Sequence, residues 1–131
     1  MRFILMMHAP YDTGEYRINS WTPDSLNAHM SFMHDLNKDL RSNGEWVDGQ
    51  GLAMPKEARI VKADAKGQAI VSDGPFAESK EFLAGYWIVD VESANRAYEI
   101  AARASTAPGP DGKPLNMPLE VRPVLSGLPT E

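Results

Sequence analysis

Cysteine is absent from this chain of 131 residues. That single absence excludes disulfides, thiolate metal sites, cysteine nucleophiles and any small disulfide-built secreted scaffold. Histidine is scarce: there are three, at positions 8, 29 and 34. His29 and His34 fall on different sides of a helix, so no metal-ligand spacing is present. Positive charge is in deficit, with 13 Lys and Arg against 18 Asp and Glu, a net charge of −5. With no basic stripe or cluster, this argues against a nucleic-acid partner. Long apolar runs are missing too. Phe3 to Met7 is apolar for only five residues before His8, too short for a signal-peptide core or a membrane span. A cytoplasmic protein with no membrane partner is the expectation. The chain also has no phosphate loop, paired-glycine nucleotide fingerprint, His-Glu-x-x-His pattern or serine nucleophile elbow. Neither a cofactor nor a metal is expected.

What is present describes one globular domain, residues 1–131. Apolar residues make up 43% and charged residues 24%, near the averages for folded proteins. The length suffices for one core and not for two. Phe3 to Met7 reads as a buried strand, broken by the turn formers from Ala9 to Gly14. Thr22-Pro23-Asp24 is a helix start: a capping hydroxyl, a proline suited to the first position and an acid for the helix dipole. Apolar residues recur at helical spacing from Leu26 to Leu40, and Asn43-Gly44 supplies the stop. Trp46-Val47 opens a second extended piece that Asp48-Gly49-Gln50-Gly51 interrupts. Ala58 to Ala63 and Gln68 to Ser72 flank Asp64-Ala65-Lys66-Gly67 as a hairpin, and Asp73-Gly74-Pro75-Phe76 is a tight turn.

Gly85 to Val91 is the strongest strand, rich in aromatic and β-branched residues. Ser93 caps a second helix that carries Ala94, Ala97, Tyr98 and Ala101 on one face. Ala107 to Pro118 holds four prolines and two glycines, so it is a loop. Leu119 to Leu125 makes the last strand. With the hairpin as an insertion, the order is the βαββαβ of a ferredoxin-like α+β fold.

Side chains alternate faces along a strand. Ile4 and Met6 therefore oppose Phe3, Leu5 and Met7, and Tyr86 and Ile88 oppose Trp87, Val89 and Val91. A sheet with one wet face should alternate apolar with polar, and these strands are apolar on both. Two helices cover one face. The same face of a second copy is the simplest cover for the other, so a homodimer is expected. The alternative cover is the hairpin together with the proline-rich loop.

Among candidate site residues, His29 falls near the centre of the helical stripe Leu26, Met30, Met33, Leu36 and Leu40, and His34 falls to the side. A histidine there needs a hydrogen-bond partner and has a pKa movable near neutrality. It is either a site residue or a satisfied core histidine. His8 ends the first strand on the face of Ile4 and Met6. Glu120 and Arg122 share a face of the last strand, as cavity lining or as a surface ion pair.

The segment Ile70-Val71-Ser72-Asp73-Gly74-Pro75-Phe76-Ala77-Glu78-Ser79-Lys80-Glu81, running on to Gly85-Tyr86-Trp87-Ile88-Val89-Asp90-Val91, resembles the DGPF-type branch of the YCII-related family. Asn43-Gly44-Glu45-Trp46-Val47 and Glu120-Val121-Arg122-Pro123-Val124 fit the flanking pattern, and the similarity runs from Met1 to about Val124. Two departures stand out: His8 where many relatives carry tyrosine, and an expanded proline-rich loop before the last strand. The resemblance implies a dimeric α+β barrel built from two ferredoxin-like sheets, in a bacterial cytoplasm. It implies an acid–base site built on a histidine–aspartate pair, and one related lineage acts on a chlorinated hydroxyquinol. For the branch itself no general activity is implied, though its members often sit near sigma-factor genes.

Two functional hypotheses follow. In the first, a cofactor-free lyase, isomerase or hydrolase acts on a small cyclic or aromatic acid. His29 is then the general base, Asp73 its partner, and His8, Tyr86 and Arg122 bind substrate. In the second, the chain is a non-catalytic ligand-binding or regulatory module. Whether His29 and Asp73 meet beside an open cavity discriminates between them. Asp73 has a purely structural role open to it as well, stabilising its turn, where Gly74 tolerates positive φ and Pro75 fixes one backbone angle. Phe76 is a candidate core plug or pocket lid.

Overall fold

The computed structural model describes residues 1–10, 20–75 and 80–126; Phe76 lies outside them. The helix start at Thr22 forms as its chemistry dictates. The Thr22 hydroxyl accepts from the amide of Ser25, and α1 runs Pro23–Ser42, with Asp24 in its first turn and Arg41 in its last. Ser93 caps α2, Ala94–Ser105, in the same way, accepting from the amide of Arg96. In both helices a side-chain oxygen satisfies an amide that the first turn leaves unbonded.

The strands are β1 (Arg2–Pro10), β2 (Trp46–Gly51), β3 (Arg59–Ala63), β4 (Ala69–Asp73), β5 (Glu81–Asp90) and β6 (Leu119–Pro123). Four of them form an antiparallel sheet in the order β2-β5-β1-β6. The two central strands are thus the most apolar ones. This is the ferredoxin-like α+β arrangement, with β3 and β4 inserted as a separate hairpin that, among the described residues, pairs only within itself. The hairpin turn is held by Asp64, whose Oδ1 accepts from the amides of Lys66 and Gln68. Gly67 takes the positive φ of +81° that this turn requires.

Three local expectations need correction. Asp48 to Gly51 does not interrupt β2 but forms most of it, with a register shift between Trp46 and Asp48. Gly49 serves close approach. A Cβ on Gly49 would lie 2.8 Å from the Trp46 ring, and one on Gly85 across the pair 2.9 Å from the Gln50 carbonyl oxygen. Ala9 and Pro10 continue β1 past a bulge after Met7, pairing with Phe82 and Glu81. Gly74 does not use positive φ; a Cβ there would sit 3.2 Å from the Ala58 backbone, and its peptide bond to Pro75 is cis.

The core lies between the sheet and the two helices. Phe3, Leu5, Met7 and Ala9 of β1 and Phe82, Ala84, Trp87 and Val89 of β5 meet Leu36 and Leu40 of α1. Ala97, Ile100, Ala101 and Ala104 of α2 complete it. Trp87 is buried in this core, as its place on the strongest strand predicts. Both stripes are rotated from the expected ones. On α1 the buried residues are Ser25, His29, Leu36 and Leu40, while Met30 is 56% exposed. On α2, Tyr98 is exposed. The second sheet face carries Ile4, Met6, His8, Leu83, Tyr86 and Ile88, half-buried, with neither α1 nor α2 over them.

Candidate functional site

The sheet separates the residues that the sequence offered as one site. His29 is on the helix side. His8, Tyr86 and Arg122 share the helix-free face, where Met6 pairs with Tyr86 and Ile4 with Arg122. There His8 Nε2 lies 3.2 Å from Glu120 Oε1, and Arg122 Nε lies 3.8 Å from Glu120 Oε2. The surface pairing of Glu120 with Arg122 is therefore present, extended by His8. The Tyr86 hydroxyl donates to Asp48 Oδ2 at 2.9 Å, which holds the phenol above its ordinary pKa. Asp73 belongs to neither group. It ends β4 with its side chain 97% exposed, 3.8 Å from Arg59 Nε. Its carboxylate makes no hydrogen bond to the turn among the described residues, and it does not meet His29 within this chain.

His29 is held from two sides. Its position on α1 turns the ring inward beside Trp21, edge to face at a centroid distance of 5.2 Å. Its Nδ1 lies 3.0 Å from the carbonyl oxygen of Pro108. A carbonyl only accepts, so Nδ1 carries the proton. The same proline-rich loop is tied to α1 a turn earlier, where the Asp111 amide donates to Ser25 Oγ at 3.3 Å. Burial pushes the imidazole pKa below its ordinary value, against a smaller upward pull from Pro108. The ring is therefore neutral at pH 7, with a lone pair on Nε2. No described residue occupies that nitrogen.

His29 is not closed off. It lines a cavity of about 240 Å³ between α1 and the β2–β5 edge of the sheet. The apolar walls are Met7, Met30, Met33, Leu52, Ala84 and Trp87; the polar residues are His29, Asn37, Gln50 and Tyr86, the last two paired with each other across β2 and β5. No Lys, Arg, Asp or Glu lines it among the described residues. Asn37 was invisible to periodicity, which treats it as a polar position beside Leu36. Its Oδ1 accepts from Trp87 Nε1 at 2.8 Å, so two groups with fixed polarity face one apolar chamber.

Two other hollows are less suited to a ligand. One of about 720 Å³ lies at the start of α2, where Arg96 already forms two 2.8 Å bonds to Glu45. Those bonds hold the Glu45 carboxyl below the usual carboxylate range. Another, of about 440 Å³, lies beside His8, Met54, Pro75 and Phe82. No group of three or more His, Asp or Glu among the described residues is placed to hold a metal. No helix among them is long and apolar enough to cross a membrane.

The fold and site define an antiparallel ferredoxin-like α+β domain with a small, mainly apolar chamber beneath its first helix. The model of the YCII-related domain matches residues 1–109, and the chain belongs to that family. An uncharacterised protein of Rhizobium meliloti (strain 1021) is 36% identical over 78 residues, 60% of this chain. The match spans 59% of that relative's length.

Proposed function

We propose that this chain binds a small molecule in the chamber between α1 and the β2–β5 edge, with His29 as the group that receives the ligand's proton donor. One observation carries the reading: a buried, neutral imidazole whose Nδ1 is committed to Pro108 and whose Nε2 has no partner among the described residues, on the wall of an apolar cavity. Desolvated lone pairs of this kind act as hydrogen-bond acceptors or as general bases, and a positioned base typically supplies ~10²–10⁴-fold. Cofactor-free proton-transfer chemistry of the lyase, isomerase or hydrolase type fits this group. Its orienter is then the Pro108 carbonyl in place of Asp73, which stands outside the chamber.

The orienter also supports a second reading. A backbone carbonyl fixes the tautomer but gives an imidazolium no countercharge, which suits binding without turnover. A non-catalytic ligand-binding module follows from that. Its link to sigma-factor-controlled transcription, like membership of the DGPF branch and a cytoplasmic setting, rests on the resemblance carried by Asp73-Gly74-Pro75-Phe76 and its context. The homodimer belongs to the same proposal. The uncovered face of Ile4, Met6, Leu83, Tyr86 and Ile88 closes against its copy, enclosing His8, Glu120 and Arg122 inside a barrel.

The test is direct. Protein labelled with ¹³C at its methionine methyls is titrated with para-cresol, a one-ring probe. Shifts at Met7, Met30 and Met33, with Met1 unmoved, are expected. Saturating probe without any shift at those three methyls would overturn the reading.

A further inference from the structure

The chamber has a direction as well as a volume. An indole N–H can only donate, so the Asn37 oxygen faces Trp87 and its amide nitrogen is the end left over. That nitrogen carries two N–H donors with no acceptor among the described residues. At the other end, Nε2 of His29, without a partner among the described residues, can only accept. The donor and the acceptor stand eight residues apart on α1, ~12 Å along the axis at 1.5 Å per residue. Two hydrogen bonds of ~3 Å would leave roughly 6 Å between the ligand's own polar atoms. Met33 lies midway, so the body between those atoms is apolar. The volume of about 240 Å³ is below the ~300–1,000 Å³ of sites for drug-sized ligands, and fits one ring.

Charge narrows the class further. Burying a carboxylate without a cation or a full set of donors is costly. The lining holds no Lys or Arg, and Arg122, the cation offered by the sequence, is on the other face of the sheet. Resting on the binding reading above, we infer that the chamber selects a neutral, one-ring molecule with a hydroxyl at the His29 end and a carbonyl-type acceptor at the Asn37 end. A small aromatic acid in its anionic form is excluded by this arrangement.

Four probes of matched size separate the possibilities: para-hydroxyacetophenone with both groups, para-cresol with the hydroxyl alone, para-methylacetophenone with the carbonyl alone, and anionic para-hydroxybenzoate. Affinities are read from the methionine methyl shifts at pH 7. Para-hydroxyacetophenone should bind most tightly, each single-group probe roughly five- to tenfold more weakly, and the benzoate weakest. The substitution Asn37→Asp keeps an acceptor for Trp87 but removes the donors. It should erase most of the advantage of para-hydroxyacetophenone over para-cresol. Equal affinity for all four probes, or tightest binding of the benzoate, would overturn this inference and leave the chamber a binding site. Absence of methyl shifts with every probe would remove both. If Asn37→Asp does not fold, the ranking on the unaltered protein decides alone.

Discussion

The Nδ1–H of His29 donates to the carbonyl oxygen of Pro108 at 3.0 Å, joining α1 to the loop that leaves α2 across 79 residues of chain. The bond has a structural consequence separable from any chemistry at Nε2. Replacing His29 with leucine leaves a part-buried carbonyl without its donor. The change should cost about 1–3 kcal/mol and speed amide exchange in the loop, beginning at Gly109. His29→Gln keeps a donor of similar reach, so it should cost less than about 1 kcal/mol while losing the basic nitrogen. Urea denaturation of the two variants, with turnover or binding measured on any ligand found, separates anchoring from chemistry.

The same histidine sets a pH dependence. Its pKa in the folded chain lies below the ordinary value of 6.5 because of burial. Between the folded and unfolded values the unfolded chain binds more protons, so stability rises with pH across that window. It is present in full above about 6.5 and is lost as the pH falls from there through the lower folded value. Melting temperatures should therefore drop from pH 7.5 to pH 5.5, and His29→Gln should flatten the slope. An equal slope in wild type and variant would remove His29 as the cause.

Trp87 joins the core to the chamber. It is buried on β5, and its indole nitrogen donates to Asn37 at 2.8 Å. Trp87→Ala should cost ~3–5 kcal/mol, the ordinary range for emptying so large a site. Trp87→Phe keeps most of the volume but leaves Asn37 Oδ1 without its donor, costing ~1 kcal/mol and freeing the carboxamide to turn. Thermal melts order the two variants. A Trp87→Ala protein melting within a few degrees of wild type would show that the side chain is not core.

The uncovered sheet face is tested by charge. Ile88 pairs with Ile4 across β5 and β1 at the middle of that face. The proposed dimer should bury more than the ~1,000 Å² of a specific contact. Ile88→Asp should then convert a dimer to a monomer in sedimentation while far-ultraviolet circular dichroism stays the same. A wild-type protein already monomeric at micromolar concentration would remove the dimer.

Much of the fold was legible because its signals are local. Thr22 and Ser93 cap the two helices by chemistry within one turn. Asp64 and Gly67 build the hairpin the same way, and the two-faced apolar alternation of β1 and β5 is a property of period two. Close approach is not local. Asp48 to Gly51 looked like a break because glycine weakens a strand, yet here Gly49 and Gly85 let the Trp46 ring and the Gln50 backbone come near.

By itself the sequence determined the order of elements, the caps, the Asp64–Gly67 hairpin turn and which strand residues share a face. All of these follow from backbone geometry over a few residues. Only the tertiary structure decided which of the polar side chains meet. His29 went to one side of the sheet and His8, Tyr86 and Arg122 to the other, because pairing β1 with both β5 and β6 fixes their faces. Asp73 was carried away on a hairpin that, among the described residues, pairs only within itself. Asn37 became a chamber wall only when β5 brought Trp87 within 2.8 Å of it, 50 residues along the chain.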